Sequence, residues 1–517
     1  MTLAPLLQAS ERHRTALSAA LFAVLLLAVC YPVLTTAMPP LADYPNHLAR
    51  IYIQAYADKL PTLGTYYQSL IRGQPNLAMD LFVLALTPIV PVEIGGRISI
   101  IAAFTLIGTG AHVLARVISG RWSVWPNVIF LFVYNRLFQW GFISFMMGLG
   151  MMLWGIALWI YLRDRPLWRF LVGCAVALPL YLSHLFAFAA YGVTITGYEL
   201  YMLLRERAPR RRYLAALVML AAQTVVPALL FVLVSPTAHE YGRISWGRFK
   251  NKLEALVYPT WNYDFTFDAV TLGVAAVLII AGLVSRRLIF PRALALPLAV
   301  LLALGVAMPE QIFSSYFADT RIPIVLWLIV VPSVAWAVSA WGTELLATGL
   351  MLAFLAVKLV MVTQHWHEAD RRYAEVIPIL KNLPHGAKLM SVIGNDGEEL
   401  PDIPLFEIPT LAVVYREAFV PNLFAYPFNA AQAVKFTKDY AGYFWNTPYH
   451  IVRSSDVWWM RHDPKVRAAR DAFQDRFLSQ YDYVFVYNEK ALASPVPAWL
   501  ETVASGTNFR LLRVPKR

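Results

Sequence analysis

Cysteine is almost missing from this chain. Cys30 and Cys174 are its two thiols, and they stand in separate apolar runs, which excludes a disulfide framework and a thiolate metal site. Charge is scarce as well: Asp, Glu, Lys and Arg make up 15% of 517 residues, against 58% hydrophobic types. So little polar surface cannot cover so much apolar bulk in water, and a soluble globular protein is excluded. No phosphate-cradling P-loop and no Gly-x-Ser-x-Gly nucleophile elbow occur. Gly108-Thr-Gly110 lies inside an apolar run and lacks the strand–loop–helix setting of a dinucleotide site. Asn395-Asp-Gly-Glu-Glu399 does not keep EF-hand spacing, and His365-Trp-His367-Glu368 reads as an interfacial anchor. No basic–aromatic stretch suits nucleic acid.

What the chain does have is long apolar runs, with a mean hydropathy of +0.53. Repeated runs of about 17–25 residues match the hydrocarbon thickness of a bilayer. Five Arg clusters interrupt them: Arg12/Arg14, Arg121, Arg163/Arg165/Arg169, the stretch from Arg205 to Arg212, and Arg286/Arg287/Arg292. The net charge of +12 is uneven. From Gln364 onward 18 Lys and Arg face 17 Asp and Glu, whereas the first 363 residues carry 26 against 15. Cytoplasmic loops retain Lys and Arg, so all five clusters are expected on the cytoplasmic side.

That requirement sets the topology. A polytopic α-helical membrane protein with about eleven transmembrane helices satisfies it. The spans are expected over 17–38, 98–118, 124–137, 143–162, 170–182, 185–204, 214–234, 270–284, 293–308, 322–340 and 345–362. The first run exceeds a signal-peptide core and reads as an uncleaved span. The apolar stretch 77–92 carries Asp80, Pro88 and Pro91. If it crossed, Arg121 and the 163–169 cluster would move outside, so it is assigned to helices lying at the interface. Residues 1–363 then form a transmembrane module with an extracytoplasmic loop over 39–96. Residues 364–517 form an extracytoplasmic α/β domain, with a helix over 371–382, strands over 388–393, 483–487 and 510–514, and a helix over 498–503.

The first outer loop opens Pro39-Pro-Leu-Ala-Asp-Tyr-Pro-Asn-His-Leu-Ala-Arg50. Pro45 favours a helix start there, which would bring Asn46, His47 and Arg50 together and leave Asp43 near the helix N-terminus. Capping alone would also explain Asp43. At the same outer level stand Asn135, Arg136 and Gln139, then His184, then His239, Glu240 and Arg243, followed by Arg248, Lys250 and Lys252, and finally Asp319 and Arg321. Ionisable groups near membrane depth are costly and mark functional cavities, although each one singly serves equally as an anchor or an interhelical hydrogen bond. Trp458-Trp459 beside Arg461 and His462 reads either as an acceptor-contacting patch or as domain packing.

One span leading to a large outer loop with an early Asp, then interfacial helices, short-looped spans and an outer tail: this layout resembles the membrane-embedded GT-C glycosyltransferases, which use polyprenyl-phosphate sugars. The likeness is clearest over residues 1–204. It implies a transferase at the periplasmic face of a bacterial inner membrane, with the N-terminus cytoplasmic and the tail periplasmic. Its partners would be a polyprenyl-phosphate-linked sugar and a glycan, lipid or protein acceptor. The resemblance makes Asp43 the catalytic base, acting with inversion. Arg321, Arg136, Arg243, Arg50 and His184 are candidates for the donor phosphate; His47, Asn46, Asn135, Asp319 and Glu240 are candidates for support. Many members hold a second acid in the next outer loop, often with a divalent metal. Here that loop reads Leu137-Phe-Gln-Trp-Gly-Phe142, so no cofactor is assigned and a divalent metal stays open. A transporter or flippase of lipid-linked sugars, or a polymerase or ligase using lipid-diphosphate donors, are the competing readings.

Overall fold

The computed structural model describes residues 4–235, 244–312, 315–394, 407–425, 433–440, 452–453, 478–488 and 496–516. Their contacts divide the chain into two compact units. One holds residues 1–35, 73–82 and 97–364; the other holds 36–72, 83–96 and 365–517. Most of the first outer loop groups with the tail.

The helices are α1 (Ala4–Thr35), α2 (Tyr44–Tyr56), α3 (Pro61–Tyr66), α4 (Ala78–Leu86), α5 (Val92–Ser119), α6 (Arg136–Gln139), α7 (Ile143–Tyr161) and α8 (Pro166–Ser183). They continue with α9 (Leu185–Arg205), α10 (Arg210–Val234), α11 (Phe249–Ala255), α12 (Phe265–Val284), α13 (Ala295–Ala307), α14 (Arg321–Ser333), α15 (Trp341–Lys381) and α16 (Leu411–Arg416). Among the described residues seven helices are long and apolar enough to cross a membrane, and two shorter apolar ones cover Arg292–Ala307 and Arg321–Ser333. Their side chains fit the role: α10 exposes Leu214, Leu217, Val218, Val225, Leu229 and Leu233, an apolar surface suited to lipid rather than water. In the first unit α7 packs against α8 and α9, α9 against α13, and α8 against α10.

Several expected spans take other forms. Residues 124–137 contain no spanning α-helix; the structure has a 3-10 helix, Trp125–Phe132, followed by the single turn α6. Eight residues at about 2 Å each fall well short of a hydrocarbon layer about 30 Å thick. All eight are buried in protein, the condition under which irregular backbone is tolerated at membrane depth. The stretch expected over 322–340 is helical only to Ser333, then forms strand β3 (Ala335–Trp336), paired antiparallel with β2 (Leu288–Ile289). The stretch 77–92 holds α4, whose nine residues reach about 13 Å at about 1.5 Å per residue and cannot span.

The second unit is mixed α/β. A five-stranded sheet orders β6 (Val452–Arg453), β4 (Leu389–Ile393), β7 (Tyr483–Tyr487), β9 (Phe509–Arg513) and β8 (Glu501–Gly506). β4 and β7 are parallel, and β7–β9 and β9–β8 are antiparallel. The helix expected over 498–503 is instead β8, because Thr502 and Val503 favour extended backbone and Thr507-Asn508 (φ +67° at Asn508) turns the chain back onto β9. The helix expected over 371–382 is the end of α15, which runs 41 residues. A second, small sheet pairs β1 (Tyr67–Ser69) of the outer loop with β5 (Val434–Phe436) of the tail. Tyr67 is fully buried beside it, its hydroxyl accepting from Val420 N at 2.7 Å.

Candidate active site

The second unit contains the Asp43 cluster. Pro45 lies at the start of α2, as its fixed φ favours, and the first half of the helix is buried through Tyr44, Asn46, His47, Leu48, Arg50 and Ile51. Gly96 sits against it with no space for a Cβ, which would meet the Tyr44 hydroxyl and Leu48. Asp43 occupies the N-cap position, yet its side chain makes no capping hydrogen bond. Burial pushes the Asp43 carboxyl up to about 7, opposed by the positive charge of Arg50.

Three residues on, Asn46 faces the tail. Its amide donates to Glu407 Oε2 and to the Asn422 carbonyl, both at 3.1 Å, and its Oδ1 accepts from Phe424 N at 3.0 Å. The Asn422 amide donates to the same Glu407 Oε2 at 3.0 Å. Glu407 is 1% exposed, and burial together with the nearby Asp43 charge holds its carboxyl well above the usual range. His47 lies within ring distance of Phe424. Asp43, Asn46, His47 and Arg50 thus gather as their spacing predicts. Glu407 and Asn422 escape sequence reasoning, since they pair with Asn46 across 361 and 376 positions. The one local signal is an acid set in an apolar frame, Leu405-Phe-Glu-Ile-Pro409.

The first unit contains a cationic cluster built where its interhelical loops converge. Arg321 opens α14 and is 3% exposed. Its guanidinium lies over Phe186 at 4.5 Å and Phe142 at 5.3 Å, and its Nε and Nη1 have no hydrogen-bond partner. The Arg321 charge also acts on His184, which caps α9 by accepting from Phe186 N at 3.1 Å and meets Phe145 edge-on. Gly148 of α7 makes that corner possible: a Cβ there would lie 2.9 Å from Ala187 and 3.2 Å from Ser183.

Next to Arg321 in sequence, Asp319 pairs with Lys252 at 3.1 Å, and its other oxygen is buried and unanswered. Lys252 also donates to the Met308 carbonyl at 2.6 Å. Arg136 donates to Gln139 Oε1 at 2.5 Å and stacks 4.7 Å from the centre of Trp261. Tyr258, which the sequence reading missed, feels the charges of both Arg136 and Asp319. Asn135 serves structure here: fully buried, it caps α6 by accepting from Phe138 N at 2.9 Å and donates to the Phe132 carbonyl. Arg136, His184, Asp319 and Arg321 are brought together, then, while Glu240 and Arg243 lie outside the described residues, as do His239 and the 458–462 patch. No group of three or more His, Cys, Asp or Glu able to hold a metal occurs among the described residues.

Set against solved structures, the chain is similar to ArnT from Cupriavidus metallidurans, crystallised with undecaprenyl phosphate, with a TM-score of 0.52 over 96% of this chain and 98% of that one. The chain has an ArnT-like fold. Identity to ArnT is 12%, so the likeness is one of architecture: many apolar helices followed by a strand-containing C-terminal region in the ArnT-like arrangement. No family profile and no curated protein matches the sequence.

Proposed function

We propose that the protein is a membrane glycosyltransferase that moves a sugar from a polyprenyl-phosphate donor to an acceptor at the periplasmic face of a bacterial inner membrane. The observation that carries this reading is Arg321. A buried guanidinium with two unanswered N–H groups calls for an anion, and it occurs on a fold whose ArnT neighbour holds undecaprenyl phosphate.

In the reaction Asp43 takes the acceptor hydroxyl proton as that oxygen attacks the anomeric carbon. The bond from the anomeric carbon to the phosphate oxygen breaks, and polyprenyl phosphate leaves as the anion. A base tuned close to working pH is best matched to this step. Arg321 stabilises the charge gathering on the leaving phosphate, with Arg136, Arg50 and Arg243 as further cations and His184 and His47 as hydrogen-bonding partners. A single displacement inverts the anomeric configuration. The Phe142 and Phe186 rings against Arg321 exclude water and strengthen its attraction for the phosphate.

The test is reconstitution of the full chain in liposomes with a labelled polyprenyl-phosphate sugar. Transfer predicts release of polyprenyl phosphate and a labelled acceptor of opposite anomeric configuration. A flippase would move the intact lipid-linked sugar between leaflets and release no phosphate, and a ligase would demand a diphosphate-linked donor; either result overturns the proposal.

A further inference from the structure

Two buried acceptors in the Asp43 cluster lack a donor. Glu407 Oε1 and Asn422 Oδ1 have no hydrogen-bond partner, although the two residues are 1% and 3% exposed. They belong to side chains already joined on their other edges, where the Asn422 amide donates to Glu407 Oε2 at 3.0 Å. A buried carboxylate with one oxygen left without a donor is a costly arrangement. A proton on Oε1 removes the buried charge and leaves Oε2 free to accept from both amides.

We propose that Glu407 works as a neutral carboxylic acid and is the positioning residue for the Asp43 end of α2. The inference rests on the glycosyltransferase reading for its catalytic consequence, and on burial and the hydrogen-bond arrangement for the protonation. Glu407 Oε2 accepts simultaneously from Asn46 and Asn422, and Asn46 Oδ1 in turn holds Phe424 N. The acid thereby ties the third residue of α2 to the segment that runs from Asn422 to Phe424. Asp43, the residue that begins this helix, inherits its position from that tie.

Of the charged groups on the elements packed against Glu407, Asp43 is the one that acts on it, and it favours the neutral form. α2 presents Asp43, His47 and Arg50, and α16 ends in Arg416 and Glu417, the latter engaged by His385 at 3.0 Å. Burial and the Asp43 carboxylate both raise the Glu407 carboxyl. As a neutral acid it adds no second negative charge beside the base.

The experiment uses the full-length protein in nanodiscs. Infrared difference spectra between the parent and Glu407→Gln, taken at neutral pH, should show the loss of one carboxylic-acid C=O band; no such loss overturns the proposal. Glutamine keeps the acceptor and supplies an N–H where the acid has its O–H, so transfer by Glu407→Gln should stay within about fivefold of the parent, the range of one hydrogen bond. Glu407→Ala orphans two buried amides and should lower kcat by more than about tenfold with little change in donor KM. A Gln variant as impaired as the Ala variant also overturns the proposal, because it would mean that the acid must ionise. Asp43→Asn, run alongside, separates the two ideas: full activity there removes the base assignment and leaves the infrared result standing.

Discussion

Asp43 begins α2 without capping it, and that distinguishes a reactive carboxylate from an ordinary helix-start acid. Burial raises its carboxyl to about 7 from an ordinary 3.8, so the folded chain holds this proton more tightly than the unfolded chain does. The sign follows: stability from this group is full below the unfolded value and declines as pH rises through the window from about 4 to about 7. Catalysis runs the other way, since only the ionised carboxylate accepts a proton. We therefore expect kcat/KM for transfer to rise with pH and level off above about 7, measured as a pH–rate profile; a profile flat through that region contradicts the assignment. Asp43→Asn should melt no lower than the parent at pH above 7, because it removes a charge that burial disfavours. Arg321→Gln should raise the donor KM much more than the acceptor KM, and equal effects would argue against phosphate contact. The start of α2 just after Asp43 was legible in sequence because Pro45 favours a helix there. Glu407 was not, because a buried acid separated from Asn46 by 361 positions leaves no local pattern.

Among the elements, long uniform helices were read correctly and composite ones were not. α7 and α10 are simple apolar runs, each with an Arg-rich segment at one end, and hydropathy suffices for them. The stretch 124–137 is equally apolar, yet it folds as a 3-10 turn inside protein; hydropathy records burial and does not distinguish lipid from protein as the apolar partner. Pairing across helices escaped notice for the same reason. Lys358 on α15 and Asp268 on α12 are each 2% exposed and meet at 2.9 Å, with the Thr260 carbonyl also accepting from the Lys358 ammonium and Asn262 N donating to Asp268. Lys358→Met leaves Asp268 buried and unpaired, a loss of about 3–5 kcal/mol. Its melting temperature in detergent should fall clearly, and Lys358→Met/Asp268→Leu should recover much of it. A single variant as stable as the parent would show the pair to be dispensable. Arg169 repeats the theme: assigned from sequence to a cytoplasmic cluster, it is 3% exposed, bonded to Glu199 at 2.5 Å and stacked on Trp159 at 3.9 Å.

At the scale of the whole molecule, sequence gave the class and the comparison gave the fold: apolar helices and a mixed α/β tail in the ArnT-like arrangement over 96% of the chain. The outer loop over 39–96 was assigned by sequence position to the membrane module, whereas contacts group most of it with the tail through β1–β5 and through α2 packed on α16. Hydropathy draws boundaries along the chain and is blind to pairing between distant segments. The Arg clusters make orientation a testable expectation: a reporter fused after Gln364 should read periplasmic, and a cytoplasmic reading would reverse the topology and remove the proposed site from the donor's leaflet. The most direct measurement is the rate at which purified Asp43→Asn moves sugar from a polyprenyl-phosphate donor. A general base contributes about 10²–10⁴-fold, so the variant should be slower by that factor while still folded and still binding polyprenyl phosphate. Transfer at the parental rate would contradict the role given to Asp43.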